Sequence, residues 1–189
     1  MALIAECTLQ SISPYSSSRY YTTPDKLPKE SPDAYEKRTW RERLHYDEHG
    51  IVFIPNMAFK WMLTDISKFL GMKITGKGRS TYSKHFEAGI LVLEGMPLGV
   101  KKDDIPGEDI FVPADGKHGS GSRVMKTFPV VKEWKGTIVV HVLDRVITRE
   151  VFEEHLAEGG RFVGLGRWRP QSGGTYGRFK TVKVKWSED

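Results

Sequence analysis

From residue 3 to residue 12 apolar side chains fall at alternate positions. Leu3, Ala5, Cys7 and Leu9 lie on one side, and Glu6, Thr8 and Gln10 on the other. A period of two predicts a strand with one buried face, and it makes Cys7 a small buried hydrophobe rather than a nucleophile. The pattern lapses over residues 13–29, a long loop of Ser, Tyr, Thr and Pro. Residues 33–45 interleave Lys37, Arg38, Arg41 and Arg43 with Tyr35, Trp40 and Leu44, which predicts a short helix or an ordered loop. A short strand over 51–54 runs into Pro55, and the period then becomes helical. Phe59, Met62, Leu63, Ile66, Phe69 and Leu70 form one core-facing stripe, with Asn56 as N-cap and Gly71 just past the end. Further strands are predicted over 86–94, 109–112, 125–131, 137–143 and 181–186, with 125–131 and 137–143 read as a pair. Thr148 caps a second helix that Gly159 and Gly160 close.

With its insertions set aside, this order is βαβ followed by βαβ. It predicts an α+β, ferredoxin-like antiparallel sheet with both helices on one face. The 189 residues suit one domain, 1–189, with loop insertions at about 13–50 and 95–121. A single cysteine excludes a disulfide framework and a Cys-based zinc finger. No apolar run approaches the ~18 residues that a membrane-spanning helix needs, and residues 1–12 lack the basic start of a signal peptide. A cytoplasmic protein without a membrane partner is expected.

The charge pattern sharpens this picture. The net charge is +5, and the basic residues cluster. Lys73, Lys77, Arg79, Lys84 and His85 follow one another with no acid between them. So do Arg161, Arg167, Arg169, Arg178, Lys180, Lys183 and Lys185. Segregated positive charge lets the field add up on one side, as a polyanion partner requires. Lys60 stands in the first turn of the first long helix, where the helix dipole disfavours a cation, so a bound anion would suit it.

Residues 159–179 read GGRFVGLGRWRPQSGGTYGRF. Seven glycines there alternate with four arginines and with Phe162, Trp168, Tyr176 and Phe179. Glycine lets backbone N–H groups converge on a phosphate, arginine supplies a charged fork, and aromatics supply stacking faces. Neither a Rossmann turn nor a Gly-Lys-Ser/Thr phosphate loop is present. The residues singled out for nucleic-acid contact are Lys60, Lys77, Arg79, Lys84, Gly164, Gly166, Arg167, Trp168, Arg169, Gly173, Gly174, Tyr176, Gly177 and Arg178.

The segment resembles the C-terminal glycine-rich loop of the RAMP superfamily of CRISPR-associated RNA-binding proteins, above all the subunits that coat guide RNA in effector complexes. The run Ile54-Pro55-Asn56-Met57-Ala58-Phe59-Lys60 looks like that family's entry to its first helix, with Asn56 and Trp61 standing at two glycine positions. Residues 9–19, a strand followed by a polar loop, are similar to its first strand and following loop. The resemblance implies binding of single-stranded RNA (or single-stranded DNA) through its phosphates without reading sequence. It also implies self-association along RNA or docking to other effector subunits. Lys60 and the residues from Gly164 to Arg178 would carry the site, while Lys77, Arg79 and Lys84 come from the charge pattern alone.

Catalysis is not expected, and neither a cofactor nor a metal is called for. His45 and His49 are four apart but have no third ligand in context, so they read as a surface pair. His141 reads as a sheet histidine. A metal-independent endoribonuclease of the same fold stays open as an alternative, with Asp25, Asp33 or a histidine as candidate groups. So does a decoy that docks to a CRISPR-type complex without touching nucleic acid.

Overall fold

The computed structural model describes residues 2–17, 19–20, 24–114 and 121–188. Its elements are β1 (Leu3–Ser11), α1 (Pro32–Thr39), β2 (Ile51–Ile54), α2 (Asn56–Leu70), α3 (Ser83–Gly89), β3 (Ile90–Leu91), β4 (Met96–Lys101), β5 (Gly107–Pro113), β6 (Arg123–Pro129), β7 (Lys135–Val142), α4 (Arg149–Glu158) and β8 (Phe179–Glu188). The main sheet has the order β3-β7-β1-β8 and is antiparallel throughout. Its inner face presents Ala5, Cys7, Leu9, Ile138, Val140 and Val142 to Phe59, Met62, Leu63 and Ile66 of α2 and to Phe152 and Leu156 of α4, all buried. This is the expected ferredoxin-like α+β arrangement, with both long helices on one face and the other face open. Burial pushes the Cys7 thiol up to about 12, as befits a core hydrophobe. The helix signals hold at two termini: Gly71 ends α2 at φ 55°, and the Thr148 hydroxyl accepts from Val151 N to open α4.

Several expectations are corrected. Residues 86–94 are not one strand: α3 takes the first half and leaves β3 two residues. Phe86 stacks on the buried His155 ring, with centroids 4.2 Å apart, and its N–H bonds Tyr82 O. Tertiary packing thus overrides a β-like apolar run. Residues 125–131 do not pair with 137–143, because β7 has β1 on one edge and β3 on the other. Its supposed partner β6 pairs instead with β5 as a separate two-stranded ribbon. The stretch 95–121, expected as mostly loop, carries β4 and β5, and β4 pairs with β2 outside the main sheet; its residues 115–120, with His118, lie outside the described residues.

Asn56 is not the N-cap of α2. Pro55 is, and the Asn56 side-chain amide donates to Val92 O and Leu93 O. Phe69 leaves the core stripe, 68% exposed. Gly159 and Gly160 do not close α4. Helical backbone continues through a π turn, Gly159–Val163, to Gly164 at φ 72°. Glycine at 159 and 160 lets the chain lie directly on Met62 and on Phe179, and so permits that continuation.

The last strand alternates as expected only in part. A bulge opposite Thr8 and Leu9 skips Val182, which is left half exposed, and Thr181 rather than Val182 pairs with buried Leu9.

Burial holds the pKa of His155 below its ordinary 6.5, opposed by its hydrogen bond to Val151 O. The unfolded chain therefore binds this proton more readily than the folded one. Stability contributed by neutral His155 is fully present above 6.5 and is lost as pH falls below it. Urea midpoints measured from pH 8 down to pH 5 should decline below about 6.5, and less steeply in His155→Phe, which keeps the ring stack. An equally steep decline in that variant would rule out His155 as a source.

Candidate nucleic-acid interface

The glycine-rich chain between α4 and β8 folds back on itself and onto the segment that leaves β1. Leu165 N bonds Gly177 O, and Tyr176 N bonds Trp168 O. Gly177 N bonds Pro14 O at 2.7 Å, Arg167 N bonds Ser16 O at 2.8 Å, and Arg178 O accepts from Ile12 N and Ser13 N. Gly164, Gly166, Gly173 and Gly177 all have φ between 72° and 79°. A Cβ at Gly174 would meet the Trp168 carbonyl, and one at Gly177 the Leu165 carbonyl. The loop glycines therefore allow close approach of backbone to backbone. Trp168 adopts φ 54°, a left-handed conformation uncommon for any residue but glycine.

The loop leans on the β5–β6 ribbon. Trp168 packs edge-on against Phe128 and Tyr176, and the Tyr176 hydroxyl donates to Glu108 Oε2 at 3.2 Å. Phe179 is core. Of the four aromatics, Phe162 is the most open, 43% exposed and paired with Phe69.

The arginines differ among themselves. Arg178 donates to Arg161 O, and Arg169 Nε donates to Gln171 Oε1. Arg167 lies over Phe128 with its guanidinium 4.8 Å from the ring centroid. Arg43 approaches the same ring at 5.4 Å but is neutralised by Glu36 at 3.0 Å. Arg167 has no ion pair among the described residues, and its Nε is buried without a partner. Burial, and then the nearby Arg43, push its guanidinium below its ordinary pKa. A half-buried cation in that state gains from any anion that reaches it.

Beside the loop, a groove of about 260 Å³ separates it from the start of α2. Exposed Met57 and Trp61 form one wall, Gly164, Gly166 and Arg169 the other, and His45 lies at its edge. The His45 Nδ1 is 2.7 Å from Ser17 Oγ, so His45 is tied inward while His49 is exposed. Burial and Arg19 hold the His45 pKa below its ordinary value.

Lys60 does not line this groove. Its ammonium donates to Phe86 O at 2.9 Å and Glu87 O at 2.7 Å, at the carbonyl end of α3. Those carbonyls, rather than an anion, supply the partner that its place in the helix calls for. Lys77 and Arg79 sit on an exposed turn closed by the Lys73–Thr81 bridge, and Lys84 is exposed on α3. Arg43, Phe128 and the 2.6 Å contact of His85 Nδ1 with Asp144 Oδ2 escaped sequence reasoning, because partners 59 and more residues apart carry no spacing signal. Asp33 occupies the first turn of α1, and Asp25 O accepts from Arg38.

The loop's geometry yields a direct contrast. Gly174→Ala, blocked by backbone, should lower stability by more than about 2 kcal/mol. Gly173→Ala, with φ 79° but open space, should cost about 1 kcal/mol. Thermal unfolding of the two variants checks the order; equal losses would mean that close approach at Gly174 does not constrain the loop.

No protein-family model matches the sequence, and no curated protein matches it. Solved structures do. One chain of the type III-B Cmr-beta bound to cognate target RNA, seen by cryo-EM, superposes with a TM-score of 0.62 at 10% identity, over 99% of this chain and 61% of that one. A chain of a CRISPR RNA-guided surveillance complex superposes more loosely, with a TM-score of 0.40 at 12% identity, over 97% of this chain and 67% of that one. The present chain thus spans about three fifths of the Cmr-beta chain's length. At such identity the likeness is one of fold, and the ferredoxin-like α+β architecture expected from the sequence is the one that this chain shares with the Cmr-beta chain.

Proposed function

We propose that this chain binds single-stranded RNA through its phosphates, without reading sequence, as a coating subunit of a CRISPR-type effector. The observation that carries the reading is Arg167, half buried between Phe128 and Trp168 with no acidic partner among the described residues. Natural folds seldom bury a bare charge, and a phosphate oxygen would satisfy it through a charge-assisted hydrogen bond. Arg169 on the groove wall and exposed Trp61 opposite add a second cation and a stacking face to the same region. The fold shared with a chain of RNA-bound Cmr-beta agrees with this reading.

Binding of labelled oligouridine and of a mixed-sequence RNA should weaken alike as salt rises, with a log–log slope near −0.7 per phosphate neutralised. Arg167→Ala should weaken binding by roughly 1–2 kcal/mol with little change in melting temperature. Lys60→Ala should also weaken it if the α3 side is engaged, but it will lower the melting temperature because it strips a donor from two α3 carbonyls. Wild-type binding by the Arg167 variant, or tight binding of one RNA motif only, would refute the proposal.

The coating role makes a separate prediction. Light scattering should show a complex whose mass grows in steps with RNA length, from a free protein that is monomeric or weakly associated. One protein per strand on RNAs several sites long would leave a stand-alone binder.

A further inference from the structure

The face of the main sheet turned away from α2 and α4 carries charge that the strand sequences alone would not bring together. Its ladder rows are set by the pairing of β1 with both neighbours. One row holds Lys185, Glu6 and Val139, the next Lys183, Thr8 and Thr137, and the third Lys180, Gln10 and Lys135. In a regular strand Lys180 and Lys183, three apart, would point to opposite faces. The bulge at Val182 adds the extra residue that returns Lys180 to the face of Lys183 and Lys185.

The result is a line of lysines on successive rows of this face, about 6.5 Å apart along the strand where the pairing is regular. That spacing is of the order of the reach of one nucleotide in an extended strand. Lys135, from the other side of β1, widens the basic end of the face. Beyond it lies a polar hollow of about 500 Å³ between segments 10–14 and 132–135. The acids on this side among the described residues are Glu6, already 3.1 Å from Lys185 Nζ, Glu94 at the rim beyond β7, and Glu133, which lines the hollow beside Lys132. Thr8 and Thr137 share a hydrogen bond at 3.3 Å and leave further polar capacity between the lysine rows.

We propose that this open face is a second nucleic-acid track, separate from the loop site, which holds the phosphates of an extended single strand on Lys180, Lys183, Lys185 and Lys135. It lies on the opposite side of the sheet from α2, so a strand held at the α2 groove does not occupy it. Lysines on an edge strand also discourage edge-to-edge pairing. That purpose needs neither a bulge to bring them into phase nor a lysine on the interior strand β7. Charge complementarity selects a polyanion, and the repeat selects one with evenly spaced charges, which favours a nucleic-acid strand over an acidic protein surface.

The test begins from Arg167→Ala/Arg169→Ala, which disables the loop site. Fluorescence anisotropy with oligouridine should still detect binding to this double variant. Adding Lys180→Gln, Lys183→Gln and Lys185→Gln should lower the magnitude of the log–log salt slope by about 2 and weaken binding on the order of tenfold at low salt. Circular dichroism and melting should stay unchanged, since all three side chains are exposed. Photo-crosslinks from 4-thiouridine RNA should map to β1, β7 and β8 before the lysine changes and vanish after them. The proposal falls if the lysine changes leave slope and affinity as they were. It falls equally if polyglutamate competes as well as oligouridine, which would make the face a site for acidic protein. Failure of the loop reading shows differently, as an Arg167/Arg169 variant that binds like wild type while the lysine changes still take effect.

Discussion

Six backbone hydrogen bonds hold the glycine-rich end of this molecule together. Four of them tie residues 12–16, leaving β1, to residues 167–178, entering β8, through Ile12, Ser13, Pro14 and Ser16 on one side and Arg167, Gly177 and Arg178 on the other; the other two join Tyr15 and Val131 in both directions. At about 1 kcal/mol net each, the first four contacts prolong the β1–β8 pairing beyond the sheet into loop backbone. Glycine at 166 lets the loop lie this close, because a Cβ there would meet Ser16 O and the Tyr15 ring, while glycine at 174 and 177 leaves room for the loop's own Trp168 and Leu165 carbonyls. The close approach fixes the path of the loop, and the path fixes which side chains it can present.

What it presents is an imbalance of charge. Arg43 and Arg167 share the Phe128 ring, yet among the described residues only Arg43 has a carboxylate partner, Glu36. Trp168 and Tyr176, spent on packing against Phe128 and Glu108, hold the loop on the β5–β6 ribbon rather than standing free to stack on bases. The loop therefore offers cations on a rigid support, a combination suited to phosphates rather than to base edges. Lys60 belongs to another part of the molecule, where its ammonium joins α2 to α3. The open side of the sheet obeys a different constraint. There a single inserted residue, Val182, decides which lysines face the same way.

The sequence by itself determined the elements whose signal is local. The period-two apolar face of β1, the stripe of α2 with Gly71 at its end and the Thr148 cap of α4 all follow from side chains within a turn or two of one another. From their order came the ferredoxin-like arrangement. Only tertiary structure decided what depends on partners far along the chain. It made 83–89 helical by stacking Phe86 on His155, gave β6 to β5 rather than to β7, and moved Asn56 from cap to clamp on Val92 and Leu93. It put Arg43 beside Arg167 and turned Lys180 to the open face. None of these leaves a trace in spacing, because backbone pairing and long-range burial, rather than local periodicity, set the free energy of each choice.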